Sequence, residues 1–542
     1  MCPYWLARRL LLGAVILSAA GGAVVAGSGF TIFDAINEAV TSNPAVGEAA
    51  ADRRATESGL RQSQSLLLPQ IHLDASAGPG RFNQQDITPP PLGNNQWLPG
   101  YQGSVIVRQK VFDGLASLNE VWRQAARVDA SAYRVRERTE LTALDAAEAY
   151  IDVVRYNRLI TVATDNLAAH KRLLSNVEAR FRGGRSGEGD LEQTRERVAA
   201  AEANLAEFEQ NLDAARATYR KVVGQEPANL RSPGRLKGLP PNKDAALTTA
   251  LQFNPTLRAA KADVEAAKYA FHGTAGAFVP TVSLEGSATR GKNVGDIFGR
   301  ETEASGKVVM SWDVFTAGLD SWKRAEAADR YTEATLAHAR LERAAFESLD
   351  KAWGARTITN ERVAALLRQV ASDRKAIDAY TKEYELGQRS LIDLLNAENQ
   401  LYIALVSLEA SRSVAVFADY QLLAAMGELL VYVKSPVPLE ADPLETIPIG
   451  IFPTKLPPII IDLPQTPTDP RDRANPARSP GRLRFANESA AQTIYPWWTS
   501  GVSAFDKLQY PGGRELPPAT SSGGPDWLKQ VLSMPLNAGG PR

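Results

Sequence analysis

The sequence predicts a mainly α-helical protein with a smaller membrane β part, built from two internal repeats, and three observations lead there. Landmarks recur at fixed shifts: Asn43-Pro44 returns as Asn254-Pro255 and Pro69 as Pro280, 211 residues on, while Phe112, Gly184, Asp190 and Gly224 return as Phe315, Gly387, Asp393 and Gly427, 203 residues on. Between the landmarks run heptads too long for a compact domain. Beside the heptads lie segments in which apolar and polar residues alternate, the pattern of a strand with one face in lipid.

Taken in order, the chain opens with Arg8 and Arg9, an apolar run from Leu10 to Ala20, and small residues around Val24, Val25 and Ala26. That is a secretory signal, residues 1–26, with a mature chain starting near Gly27. The apolar run is short for a bilayer span. Cys2, the only cysteine, precedes it and cannot be a lipid acceptor after cleavage; the mature chain is thiol-free, which suits an oxidising compartment. Lys plus Arg equal Asp plus Glu at 61 each, so bulk charge points to no nucleic-acid partner. His72, His170, His272 and His338 lack ligand spacing, and neither a metal nor a cofactor is expected.

Each repeat reads as a helix of about thirty residues, two strands, a very long helix, a Gly-containing break and another long helix. Repeat 1 spans 27–229 and repeat 2 spans 244–430. The linker 230–243 carries Pro233, Pro240 and Pro241, and 431–542 is a Pro-rich tail expected to be irregular or disordered. The two shifts differ by 8, so repeat 1 has eight extra residues between Pro69 and Phe112, where Thr88-Pro89-Pro90-Pro91 and Gly93-Asn94-Asn95 read as a longer loop.

The strands come next. Ile71, Leu73, Ala75 and Ala77 alternate with polar residues, and Val105 to Phe112 returns; Val282, Leu284, Gly286 and Ala288 alternate likewise, followed by Val308, Met310, Trp312 and Val314. Strands of about ten residues suit a tilted membrane crossing, with Tyr101 and Trp312 at interfaces. Unpaired backbone groups in lipid cost several kcal/mol each, and four strands cannot close a barrel. Copies must pool them: two give about eight strands with a filled interior, three give about twelve and leave a lumen. A small soluble sheet capping a coiled coil is the alternative.

The helices follow. Ile160, Ala163, Leu167, His170, Leu174, Val177 and Phe181 form a heptad seam, continued after the break by Leu191 through Val222, and repeat 2 reproduces both, with Asp373 where repeat 1 has His170. Two seams joined by a short turn fold back as an antiparallel coiled coil. Leu115 to Arg182 has no proline and as one helix would reach about 100 Å at 1.5 Å per residue. Such a hairpin must lie against others.

Tyr384-Glu385-Leu386-Gly387-Gln388-Arg389-Ser390-Leu391-Ile392-Asp393-Leu394-Leu395-Asn396, matched in repeat 1 by Phe181, Gly184 and Asp190, resembles the TolC family of outer-membrane exit ducts over about Phe30 to Leu430. The resemblance implies a homotrimer: a 12-stranded β-barrel in outer-membrane lipid, continuous with a 12-helix periplasmic α-barrel that narrows at its tip. It makes Gly184 and Gly387 the tip turns (Gly183 to Gly189, Gly387 to Ser390) and places Asp393, then Asn396, at the pore aperture. It assigns Asp190, Tyr384 and Arg389 to a tip latch, Arg389 pairing with Asp190 and the Tyr384 hydroxyl bonding Asp190. Gly189 stands where some relatives have a hydroxyl residue. Implied partners are a periplasmic adaptor (membrane fusion protein) and an inner-membrane ABC or other transporter.

No phosphate-cradling loop, nucleophile elbow or convergent pocket set is found, so no enzyme is expected. The expected role is the outer-membrane duct of a type I secretion system. A multidrug efflux duct and, in a different class, a soluble periplasmic coiled-coil adaptor are the alternatives.

Overall fold

The computed structural model describes residues 29–81, 96–294 and 297–444. The signal at 1–26, the loop around Thr88 to Asn95, Trp497 and Trp498, and the tail from residue 445 lie outside the described residues.

Two copies of one element series follow each other. The first is α1 (Ile32–Ser42), α2 (Pro44–Ser65), β1 (Gln70–Arg81), β2 (Trp97–Phe112), α3 (Ala116–Arg182) and α4 (Glu188–Val223). The second is α5 (Lys243–Phe253), α6 (Pro255–Gly273), β3 (Thr281–Val294), β4 (Ile297–Ser311), α7 (Leu319–Glu385) and α8 (Leu391–Met426), closed by α9 (Leu429–Val433). Both long helices have 67 residues and both return helices 36.

The helix of about thirty residues that opens each repeat is in fact two. The break falls on the Asn-Pro pair itself, because proline disfavours helical geometry in the residue before it and is at home at the first helical position. Asn43 and Asn254 each end one helix and start the next, their side chains accepting from the N–H of Ala45 and Thr256. Each also donates its Nδ2 to the far hairpin arm: Asn43 to the Val222 carbonyl at 3.0 Å, Asn254 to the Ala425 carbonyl at 2.9 Å. The duplicated dipeptide is thus a duplicated joint.

The strands are longer than the expected ten residues, 12 to 16, and β2 starts at Trp97 rather than Val105. They form one antiparallel sheet in the order β1-β2-β3-β4, so repeats 1 and 2 meet along β2 and β3. Exposure alternates along β2 from Trp97 to Val107, with the odd-numbered, mostly apolar side open and the even-numbered side half-covered. Side chains crowd on the concave side of a curved sheet, so the polar face is concave and the apolar face convex. On the polar face Arg108, Glu285 and Lys307 stand in one cross-strand row, Arg108 Nε 2.6 Å and Lys307 Nζ 3.5 Å from the Glu285 carboxylate. Opposite charges directly across a sheet stabilise the register by a few tenths to about 1 kcal/mol.

The main core sits midway along α3, where Ala143, Ala147, Tyr150, Ile151 and Val153 meet α1, the end of α4, α8 and α9. Tyr150 Oη lies 2.7 and 2.6 Å from the carbonyls of Phe30 and Arg231, fastening the chain start and the inter-repeat linker to one side chain. By length and mean hydropathy of 1.5, α8 could cross a bilayer, but half of that window is buried within the protein, as expected of a core helix. His170 is buried on the α3 seam, where desolvation and the nearby Arg197 push its imidazole below the usual pKa.

The expected tail start at 431 is too early. Residues 431–444 finish α9, make a 3-10 turn at Leu439–Ala441 and dock on α2 and α3. Arg54 pairs with Glu440, and the Leu444 N–H donates to Asp129 Oδ1 at 2.7 Å. Leu429, Leu430 and Val433 are buried there. Proline density masked this short apolar anchor.

Candidate functional site

The residues singled out from sequence gather at the end of the helical hairpins farthest from the sheet. Both turns are built alike. In the first, the Arg185 N–H bonds the Arg180 carbonyl at 2.8 Å and the Gly184 N–H bonds that of Phe181 at 2.9 Å; in the second, Gln388 bonds Glu383 at 2.8 Å and Gly387 bonds Tyr384 at 3.1 Å. This nested pair of bonds closes a helix only when the residue after it is left-handed, and Gly184 and Gly387 have φ of 68° and 75°. No atom lies within 4 Å of where a Cβ would stand on either. Backbone conformation rather than crowding therefore selects glycine. The turns occupy 183–187 and 386–390.

The two hairpins touch at this end. Leu173 and Val177 of α3, Leu191 of α4, Tyr384 of α7, and Leu391, Leu394 and Leu395 of α8 form one apolar cluster. Asp393 is the third residue of α8, where its carboxylate accepts from Ser390 Oγ at 2.8 Å and its N–H donates back to that hydroxyl at 3.3 Å. This capping arrangement fixes the carboxylate beside the turn, in the favourable field of a helix N-terminus. Asn396 is exposed one turn further along.

Within one protomer the expected latch partners are not joined. Asp190 accepts from Ser186 Oγ at 2.8 Å. Arg389 donates to Glu383 at 2.7 Å, stands 3.7 Å from Asp393, and lies 4.0 Å over the Tyr380 ring. Tyr384 is buried, its ring under Arg180 at 4.3 Å. Asp190 and Arg389 have each found a partner nearer in sequence, and Tyr384 is taken up by Arg180 of the other hairpin.

Arg180 is the residue the sequence reading missed. It reaches from α3 to donate to the carbonyls of Tyr384 and Glu385, both at 3.3 Å, and so ties the first hairpin to the end of α7. The 203-residue shift contained the signal. It pairs Arg180 with Glu383, Ser186 with Arg389 and Asp190 with Asp393. In repeat 2 the arginine stays in its own turn, bridging Glu383 and Asp393; in repeat 1 a serine serves the aspartate, and the charge-reversed Arg180 crosses to the other hairpin.

Among the described residues no cluster of His, Cys, Asp and Glu is placed to hold a metal ion.

The model of the family described as "Outer membrane efflux protein" matches residues 35–225 and 246–428. The outer membrane efflux protein BepC of Brucella suis biovar 1 is 27% identical over 427 residues, covering 78% of this chain and 91% of BepC. The alkaline protease secretion protein AprF of Pseudomonas aeruginosa is 23% identical, covering 78% of this chain and 88% of AprF. Among solved structures, the outer membrane protein VceC of Vibrio cholerae aligns with a TM-score of 0.65 at 19% identity, over 73% of this chain and 96% of VceC.

Proposed function

The chain belongs to the outer membrane efflux protein family, the TolC-like family of outer-membrane channels that reach into the periplasm, and from that premise we propose that it is the exit duct of a type I secretion system, working as a homotrimer. The observation that carries the trimer is the sheet. Its convex face is apolar, with Ile71, Leu73, Val308 and Met310 each more than 65% exposed, and both β1 and β4 end the sheet with one unpaired edge. Lipid tolerates neither edge. Three copies joined β4 to β1 give twelve strands with the Arg108-Glu285-Lys307 rows inside a wet lumen. The four hairpin helices of each copy then make a twelve-helix wall. Fold and family alike are those of channels rather than enzymes.

At the tip, three copies of Asp393 would ring the aperture and favour cations, with Asn396 adding no charge to the next ring. Since Arg389 and Asp190 are satisfied separately inside one protomer, the latch pair is proposed to form between neighbouring copies, with Arg389 leaving Glu383. A periplasmic adaptor would engage the tip and draw the hairpins apart, and an inner-membrane ABC or other transporter would supply energy.

The secretion reading draws on AprF, whose name assigns it to protease secretion. It draws also on the sole cysteine, Cys2, lying ahead of the apolar run, where it cannot accept lipid. Efflux of small molecules is the second reading, favoured by the name of BepC. Planar-bilayer recording of the detergent-purified protein tests the duct: discrete cation-selective steps are expected, and Asp190→Ala with Arg389→Ala should raise their conductance. No steps would reject the channel; unchanged conductance in the variant would reject the latch.

A further inference from the structure

We propose that the outer end of the sheet's convex face holds a net-anionic, phosphate-bearing lipid headgroup between Arg290, Lys292 and Arg300. The inference rests on the reading of that face as lipid-exposed. Lys292 stands directly opposite Arg300 across β3 and β4, and opposite Tyr101 across β2 and β3; Arg290, two residues along β3, shares their face. All three cations are exposed. Residues directly across a sheet have Cβ atoms about 5 Å apart and diagonal neighbours about 7–8 Å, and like charges so placed destabilise the pair. Among the described residues no carboxylate on these strands shares that face. Glu301 and Glu303 stand opposite Gly291 and Thr289, on the concave side, and so does Asp74, opposite Ser104.

The concave face shows what the chain does when it neutralises its own charges, since there Glu285 lies between Arg108 and Lys307. On the convex face three cations converge with nothing of opposite sign among the described residues of these strands. An anion seated among them would relieve the repulsion, and phosphate suits two guanidinium forks and an ammonium.

Height along the strand identifies the source of the phosphate. From Val282, level with Met310 at the helical end, to Lys292 is ten residues. At about 3.3 Å per residue and a tilt of about 40°, that is about 25 Å, the height of the apolar band of a membrane barrel. Below the cations the face carries Ala288, Ala304, Leu284, Val308 and Met310; level with and above them are Tyr101 and Trp97, 51% and 67% exposed. Aromatics at that height mark the headgroup boundary. The cations therefore sit where headgroup phosphates of the outer leaflet lie. The platform is also fixed: Asn293, left-handed at φ 51°, donates to the Pro99 carbonyl and accepts from the Gly299 N–H, both at 3.0 Å, pinning β2, β3 and β4 together at the site.

Native mass spectrometry of the detergent-purified oligomer, incubated with bis-phosphorylated lipid A or with phosphatidylcholine, tests this. Wild type should retain lipid A selectively, and Arg290→Ser/Lys292→Ser/Arg300→Ser should lose about tenfold or more of it. The charge-keeping Arg290→Lys/Arg300→Lys should retain it. Equal retention by the triple variant, or equal binding of phosphatidylcholine by wild type, would overturn the proposal. Should the triple variant not assemble, the single variants serve, each expected to lose about twofold or more; no loss in any of them counts against the site. Bilayer conductance of the same preparation separates the two readings: lipid loss with conductance intact isolates the lipid site, whereas absence of conductance in wild type removes the channel itself.

Discussion

The helices α3 and α7 have the same length and the same place in their repeats, yet α3 buries 27 of its 67 residues and α7 buries 6. The difference is one of neighbours. In its outer half α3 lies between α2 and α6, and further down it packs on α1, α4 and α8, whereas α7 packs mainly on α6 and α8. The rest of α7 is open and carries Trp322, Leu336, Ile358 and Leu367, all at least 45% exposed. A run of large apolar groups along some 70 Å of helix is not how a monomer presents itself to water. Repeat 1 is a finished interior and repeat 2 a half-finished one. The sheet shows the same incompleteness, with β1 and β4 each lacking a neighbour.

The comparison breaks first at the open face of α7. Leu336→Asp with Ile358→Asp places two charges where a second copy is proposed to pack, and the expected result is loss of the oligomer, about tenfold or more at fixed protein concentration, which needs only about 1.4 kcal/mol. Native gels or light scattering in detergent would read it. Helical circular dichroism should be unchanged, because neither side chain belongs to the protomer's core. An unaltered oligomer would mean that α7 faces solvent in the assembly.

A second contrast lies where repeat 2 compensates for the thin cover of α7. Asp419 on α8 is fully buried and accepts two bonds from Arg235 of the linker, at 2.6 and 2.8 Å, one from Arg356 of α7 at 3.2 Å, and the Leu236 N–H at 3.1 Å. Its counterpart by the 203-residue shift is Arg216, half-exposed and, among the described residues, paired with Asp213 alone. Removing one member of a buried charge network strands the others, at a cost of about 3–5 kcal/mol, whereas an exposed pair contributes about 0–1 kcal/mol. Asp419→Ala should therefore lower the denaturation midpoint sharply and Arg216→Ala hardly at all. Similar effects from both would show that the carboxylate is not what holds α7, α8 and the linker together.

Much of this was legible in the sequence for a physical reason. Glycine at a left-handed helix end, proline after a capping asparagine and a 3-4 apolar spacing each have a local cause, so Gly184, Gly387, Asn43-Pro44 and the seams could be placed without coordinates. The break of the opening helices was equally local and was overlooked at the Asn-Pro pair that identified the repeat. Tertiary choices were not legible in this way. Which partner Arg389 takes depends on whether Glu383, Asp393 or Asp190 stands closest in space, and all three are suitable by charge. Arg180 was passed over because a single arginine in a helical stretch is most often solvated; its reach to Tyr384 depends on how the hairpins are set side by side. The anchor at 429–444 was hidden because its apolar residues are few and its partner, Asp129, is some 300 residues away in the chain.

An effect smaller than that of Asp419→Ala separates the repeats by pH. Glu140 on α3 is 3% exposed, one carboxylate oxygen lacks a partner among the described residues, and the other faces the Leu430 N–H at a long 3.5 Å. Burial pushes its carboxyl up to about 8, against the partial opposition of Arg136. The folded state thus holds this proton more tightly than the unfolded chain does. Its contribution to stability is complete below the ordinary glutamate range near 4.5 and is lost as pH rises through about 8. The counterpart by the repeat shift is Arg343, so repeat 2 has no carboxylate at this position. Glu140→Gln keeps the acceptor oxygen and removes the charge, so it should leave the melting temperature unchanged at pH 4 and raise it at pH 8.5, the gain in stability there being on the order of 2 kcal/mol. A wild-type melting temperature that stays constant between pH 5 and pH 8.5 would mean that burial between α3 and α9 does not hold the proton on this carboxyl.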